Sequence, residues 1–197
     1  MLSPDRSPDT RRLSREDWIK GAIQFLSKNS VDALRVDLLS KQLKVTKGSF
    51  YWHFQSREEL LNAVLETWRQ TMINDIEAWL KTMTGTPVGR LRRLLRLAIT
   101  SRIDVPGGPF ELTLRDWARR DERVDGIVRQ VDSERLGIVK NLYLDAGLAE
   151  DQAEAHALLH MTFVVGGRTM LFDADPAEIE RRWRIGEDFL IPKSTRP

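Results

Sequence analysis

The sequence predicts an all-α protein: an N-terminal three-helix unit carrying a helix-turn-helix, joined by a long helix to an antiparallel helical bundle, about nine helices in all. Three observations lead there. Apolar residues recur at three- and four-residue steps through most of the chain, the spacing of a helix face. No stretch alternates apolar and polar as a half-buried strand does, and no apolar run exceeds three residues, whereas strands of a buried parallel sheet read as continuous apolar segments. Proline, glycine and capping residues cut the periodic stretches at helix-like lengths.

Residues 1–12 hold two prolines and no periodicity, which predicts a mobile arm. Ser14 with Asp17 forms a variant capping box, and Trp18, Ile19, Ala22, Ile23 and Leu26 give a first helix over about 15–27. Lys28-Asn29-Ser30 is a turn. A short second helix runs over about 37–43 with Leu39 and Leu43 inward, and Thr46 caps a third over about 47–53. Ser56 with Glu59 makes a full capping box, and nothing breaks the chain from Arg57 to Thr84. That helix would be ~40 Å long, with Leu61, Leu65, Trp68, Met72, Ile76 and Trp79 along one stripe. Gly85 and Pro87 end it. Further helices are predicted over about 88–103, 109–119, 121–146, 150–173 and 176–190, separated by Pro106-Gly107-Gly108-Pro109, Asp121, Gly147 and Pro176. The chain divides into a head, 11–60, and a body, 61–197.

Composition narrows the function. With 41% hydrophobic and 30% charged residues the chain is of the folded, soluble kind, and at 197 residues it buries enough surface to need no staple. It has no cysteine, which removes disulfides, thiolate zinc sites and cysteine nucleophiles and fits a reducing cytoplasm. The short apolar runs provide neither a membrane span nor a secretory leader. The net charge of +2 conceals an asymmetry: residues 1–60 carry 11 Lys+Arg against 8 Asp+Glu, and the remainder 20 against 21. Within 35–57 there are five cations (Arg35, Lys41, Lys44, Lys47, Arg57) and one anion, Asp37. Such a patch attracts phosphate, although a solvated face reads the same way.

Residues 35–57 have the pattern of a helix-turn-helix: Arg35–Leu43 as support, Lys44-Val45-Thr46 as turn and Lys47–Phe54 as reading helix. Leu39, Leu43, Val45, Phe50 and Phe54 close a small core against the first helix. Left outward are Lys47, Gly48, Ser49, Tyr51, Trp52 and His53. Lys47 can bond guanine edges, Ser49 any base or a phosphate, and Gly48 lets the backbone approach closely. Tyr51 and His53 place donors one turn further on. Arg57 opens the next helix beside another phosphate site. Taken singly these fit an ordinary surface; taken together, three exposed rings in a row between Phe50 and Phe54 make a poor solvent face.

The stretch Leu39-Ser40-Lys41-Gln42-Leu43-Lys44-Val45-Thr46-Lys47-Gly48-Ser49-Phe50-Tyr51-Trp52-His53-Phe54, with Ser56-Arg57-Glu58-Glu59-Leu60-Leu61 behind it, resembles the DNA-binding signature of TetR-family transcriptional regulators. The resemblance implies a homodimeric repressor bound to a palindromic double-stranded operator and released by a small-molecule effector. By it, Lys47, Gly48 and Ser49 fall where bases and backbone are met, and Tyr51, His53 and Arg57 fall where phosphates are met; Thr46 and Trp52, beside them, complete the DNA-binding set. Three departures stand out. Lys44 replaces a turn glycine, Arg35 replaces a threonine and could add a phosphate contact, and Asp37 lies where DNA would repel it.

The same resemblance places an effector pocket and a dimer interface in the body. Pocket candidates are Phe110, Leu114, Trp117, His160 and Phe163, although such stripes equally form core. The tandem glycines Gly166 and Gly167, unfavourable within a helix, suggest a close crossing, and the pairing of the last two helices that the resemblance implies puts the dimer interface on about 150–190, with Gly166, Gly167, Met170 and Trp183 as candidates. His156 and His160 stand four apart in HALLH, without the glutamate of the zinc-hydrolase motif. No phosphate loop or nucleophile elbow is present, so neither metal nor cofactor nor enzymatic activity is expected. A protein-binding adaptor that has lost DNA, or a helical-bundle enzyme using the histidines, are the alternatives.

Overall fold

The computed structural model describes residues 13–100, 108–169 and 175–192. Ser14 starts α1 (Arg15–Leu26) with a reciprocal cap. Its hydroxyl accepts from Asp17 N–H at 3.2 Å, while the Asp17 carboxylate accepts from Ser14 N–H at 2.9 Å. A 3-10 turn at Val31–Ala33 leads to α2 (Val36–Gln42) and α3 (Lys47–Tyr51). Then come α4 (Arg57–Gln70), a π turn at Thr71–Asp75 and α5 (Ile76–Thr82). The body continues with α6 (Pro87–Thr100), α7 (Gly108–Ala118), α8 (Glu122–Asp145), α9 (Glu150–Thr169) and α10 (Pro176–Leu190). With α4 to α5 counted as one rod the described residues form nine helices and no strand, the all-α architecture that the periodicity predicts.

Several expected details differ. The rod is not an unbroken helix to Thr84; it carries the π turn and stops at Thr82. A π turn holds an extra residue, which rotates the apolar stripe about the axis. Leu61, Leu65, Trp68, Met72 and Ile73 therefore face one core, while Ile76 and Leu80 pack on another. At Ser56 the hydroxyl caps Glu59 N–H at 3.1 Å as expected, but the Glu59 carboxylate accepts from Gln55 N–H at 2.7 Å, one residue earlier than a capping box requires. The arm 1–12, the Pro106-Gly107 junction and the end of the helix expected to reach 173 lie outside the described residues.

Two apolar clusters result. The first joins the head to the body: Trp18, Leu26, Phe50, Phe54, Leu60 and Trp68 share one core with Phe110, Leu114 and Trp117 of α7 and with Val124, Val128 and Val131 of α8. The second gathers Leu91, Leu95, Val139, Leu142, Tyr143, Val164, Trp183 and Leu190 from α6, α8, α9 and α10.

α2 and α8 stop in the same way. Lys44 N–H and Val45 N–H turn back to the carbonyls of Lys41 and Ser40, at 3.2 and 3.0 Å, and Gly147 N–H and Leu148 N–H do so to Leu144 and Tyr143, at 2.9 and 3.2 Å. Both pivots are left-handed, φ 57° at Lys44 and 94° at Gly147. Only the second is a glycine. Lys44→Gly should therefore stabilise the protein by about 1 kcal/mol and Gly147→Ala should destabilise it by a similar amount. Urea titration of the two variants beside the parent checks both signs.

Candidate nucleic-acid interface

α3 is held by its buried edge. Phe50 is fully buried, edge-on to Trp18 with centroids 5.3 Å apart, and stacked on Phe54 at 5.5 Å. The Arg15 guanidinium covers Phe54, 4.7 Å from the ring centre. α1 and α2 approach so closely that a Cβ on Gly21 would lie 2.7 Å from Leu43 Cδ2, and Gln42 Nε2 donates to Gly21 O at 3.4 Å. This close crossing, which sequence reasoning missed, carries no periodic signal because a missing side chain creates it.

The other edge of α3 meets solvent. Lys47, Gly48, Tyr51 and Trp52 are exposed, Trp52 to 76%, and Ser49 and His53 are half-buried. Tyr51 leans edge-on against Phe50 at 5.2 Å, which fixes its ring while leaving it outward. The exposed Thr46 caps α3 by accepting from Ser49 N–H at 3.4 Å and keeps its hydroxyl proton for another partner. Lys41, Lys44 and Lys47 are exposed and make no ion pair among the described residues. Arg35 pairs with Asp37 at 3.3 Å, so the anion that would repel a phosphate is offset by its neighbour.

Arg57 is also engaged within the chain. Its Nε and Nη2 donate to the carbonyls of Leu34, at 2.6 Å, and Val31, at 2.5 Å. The guanidinium therefore ties the 3-10 turn ahead of α2 to the start of α4. Both partner carbonyls lie more than twenty residues away, so local pattern could not reveal them.

In the body, the pocket candidates separate. Phe110, Leu114 and Trp117 are buried in the first cluster, whereas His160 is buried beside the second and Phe163 packs on it. The Tyr143 hydroxyl donates to Leu190 O at 3.2 Å and lies 3.2 Å from His160 Nδ1. The carbonyl can only accept, so the Tyr143 proton is committed and Nδ1 carries the proton between the pair, leaving the His160 lone pair on Nε2. Burial first, and the Arg135 charge second, push the imidazole down to about 4. Burial likewise raises the Tyr143 phenol above its ordinary range.

Two interface candidates are used within the protomer. A Cβ on Gly167 would lie 2.8 Å from Trp183 Cζ2, and one on Gly186 would collide with the Phe163 ring, while Phe163 and Trp183 themselves meet edge-on at 4.6 Å. Gly167 and Trp183 thus cross α9 with α10 within one chain. A Cβ at Gly166 would meet nothing, and Met170 lies outside the described residues. The large apolar residues exposed on these two helices are Leu158 and Leu159 on α9, and Ile179, Ile185 and Phe189 on α10, Phe189 to 77%. Among the described residues no three candidate ligands gather as a metal site, and no helix is long and apolar enough to cross a membrane.

Residues 19–64 match the sequence model of the family described as bacterial regulatory proteins, tetR family. An HTH-type transcriptional repressor of Mycobacterium tuberculosis is 30% identical over 106 residues, covering 46% of this chain and 41% of that protein, so the chain spans less than half of the mycobacterial relatives it matches. The tetracycline repressor protein class C of Escherichia coli is 26% identical over 192 residues, 94% of this chain and 77% of that one. Among solved structures, Salmonella enterica GusR aligns with a TM-score of 0.64 at 15% identity over 89% of this chain and 92% of its own. A FadR from Bacillus subtilis, solved in complex with stearoyl-CoA, aligns at 0.63 with 15% identity over 90% and 98%. These two likenesses establish the fold.

Two outcomes follow from this geometry. Arg57→Ala should lower stability by about 2 kcal/mol, because two charge-assisted bonds to carbonyls are lost, as read by thermal melting. His160 is neutral when folded and protonates near pH 6.5 when unfolded, so the unfolded chain binds the extra proton between about 6.5 and 4. Stability should fall across that window as the pH drops, by up to about 3 kcal/mol. In His160→Gln this part of the pH dependence should vanish from melts taken between pH 7 and 4.

Proposed function

We propose, for a chain that belongs to the TetR family of transcriptional regulators, that it acts as a homodimeric repressor of a palindromic operator, released by a small-molecule effector. The observation that carries this reading is α3: a short helix pinned by Phe50, with Lys47, Gly48 and Tyr51 held outward beside an unneutralised set of lysines. Lys47 and Ser49 read base edges, and Gly48 admits the DNA backbone. Thr46, Tyr51, Trp52, His53 and Arg35 flank them toward the phosphates. Arg57 acts as a positioning residue, by setting the approach of α2 to α4. Two such helices in a dimer enter successive major grooves about one helical turn apart, ~34 Å. Repression is the role named for the mycobacterial and tetracycline-repressor relatives.

The dimer forms on α9 and α10 through Leu158, Leu159, Ile185 and Phe189, with Gly166 allowing close approach. Exposed apolar residues of this size on two adjacent helices are what an unpartnered interface leaves to solvent. An effector bound in the body acts by preferring a dimer whose reading helices no longer fit both half-sites.

Fluorescence anisotropy against the DNA upstream of its own coding sequence, beside random duplex at two salt concentrations, tests the reading. Selective binding that weakens with salt is expected; equal affinity for both duplexes would refute it. Lys47→Ala should cost about 1–3 kcal/mol on the operator alone. Leu159→Asp with Phe189→Asp should sediment as a monomer at micromolar concentration and lose operator affinity, whereas a persistent dimer would move the interface elsewhere.

A further inference from the structure

Three helices each place one ionisable residue inside an otherwise apolar stripe. Glu111 stands between Phe110 and Leu114 on α7, Arg135 between Val131 and Val139 on α8, and His160 between Ala157 and Val164 on α9; all nine are buried. The layer also marks a seam, because Val131 belongs to the first apolar cluster and Val139 to the second. Arg135 Nη1 donates to Glu111 Oε1 at 2.6 Å, and among the described residues neither its Nε nor its Nη2 has a partner. His160 leaves the Nε2 lone pair unpartnered on the same terms.

A buried ion pair rarely repays its desolvation, and here the pair has a second arrangement at hand. Arg115, one turn along α7, grips Asp132 with both terminal nitrogens at 2.7 and 2.8 Å, while its Nη2 lies 3.8 Å from the same Glu111 Oε1 that Arg135 holds. The Arg115 Nε is buried with no acceptor. Glu111 therefore sits between two guanidiniums, bonded to one, with an unsatisfied donor on the other.

We propose that Arg135 binds the carboxylate head of the effector, and that Glu111, displaced by it, transfers to Arg115. The proposal deepens the regulator reading and rests on it only for the effect on DNA. Arg135 provides a fork of donors that fits a carboxylate, and the incoming anion replaces an internal one, so the guanidinium stays neutralised throughout. The exchange moves α7, the helix that is also fastened to the head: Thr113 Oγ1 donates to Leu26 O at 2.7 Å, and Arg120 Nη1 meets the Asp32 carboxylate at 2.7 Å. Phe110, Leu114 and Trp117 transmit the same displacement through the first cluster.

The test titrates full-length protein with sodium butanoate, hexanoate and benzoate, each beside its neutral primary amide, and follows tryptophan fluorescence. Operator binding is measured on the same preparation. The acids should bind at least about ten-fold more tightly than their amides. Glu111→Gln removes the internal competitor while keeping its shape, and should tighten acid binding by about ten-fold. Arg135→Gln should abolish the preference for acid over amide. A purely structural ion pair would only lower the melting temperature of both variants. Equal binding of acid and amide by the parent, absence of acid binding, or unchanged or weaker acid binding in Glu111→Gln would overturn the proposal. If Arg135→Gln fails to fold, Glu111→Gln alone decides. Loss of acid binding with operator binding intact refutes this site and leaves the regulator; the reverse pattern refutes the regulator and leaves the site.

Discussion

The seating of α7 in the core of the head constrains everything else. Phe110, Leu114 and Trp117 share one apolar cluster with Trp18, Phe50 and Trp68, so the head has no closed core of its own against solvent. A close-packed interior has low compressibility, so a rigid shift of one member is transmitted to its neighbours. The surface of α3 is consequently coupled to α7 by packing alone, before any polar tie is counted. A head on a flexible tether could bind DNA, but its position would carry no information about the body.

The placement of charge follows from the same arrangement. Cations that can meet a polyanion are left exposed on the α2–α3 side, where Lys41, Lys44 and Lys47 meet no carboxylate among the described residues. Elsewhere arginines are spent internally: Arg57 on two carbonyls, Arg135 on Glu111, Arg115 on Asp132, and Arg92 on Glu187 at 2.6 Å. The division accords with chemistry. A planar guanidinium satisfies several acceptors at fixed angles inside a fold, whereas an ammonium on a flexible stem serves a phosphate whose position varies. Arg135 lies between the two apolar clusters, with Val131 in one and Val139 in the other.

Local chemistry made much of this legible. The helix starts at Ser14, Thr46 and Ser56 are capped by the side chains that their spacing implies. Phe50 and Phe54 turn inward and Tyr51 and Trp52 outward, because a helix puts residues four apart on one face and consecutive ones on different faces. The left-handed pivot at Lys44 was anticipated from a turn glycine that this chain lacks. The π turn was not foreseeable: Thr71–Asp75 has helical periodicity on either side, and the extra residue shows only once Ile73 and Ile76 are seen to serve different cores.

What the sequence determined by itself, then, is whatever depends on neighbours within one helical turn: class, caps, stops and the outward edge of the reading helix. The tertiary structure decided how each polar group is used. The guanidinium of Arg57 ties the turn ahead of α2 to the start of α4, a use invisible in the sequence because its acceptors are backbone carbonyls that only folding brings near. Gly167 and Trp183 lock α9 to α10 within the chain, because Trp183 fills the space that the glycine leaves empty. A side chain's type sets which bonds it can make, and residues far beyond one helical turn along the chain determine which of them it does make.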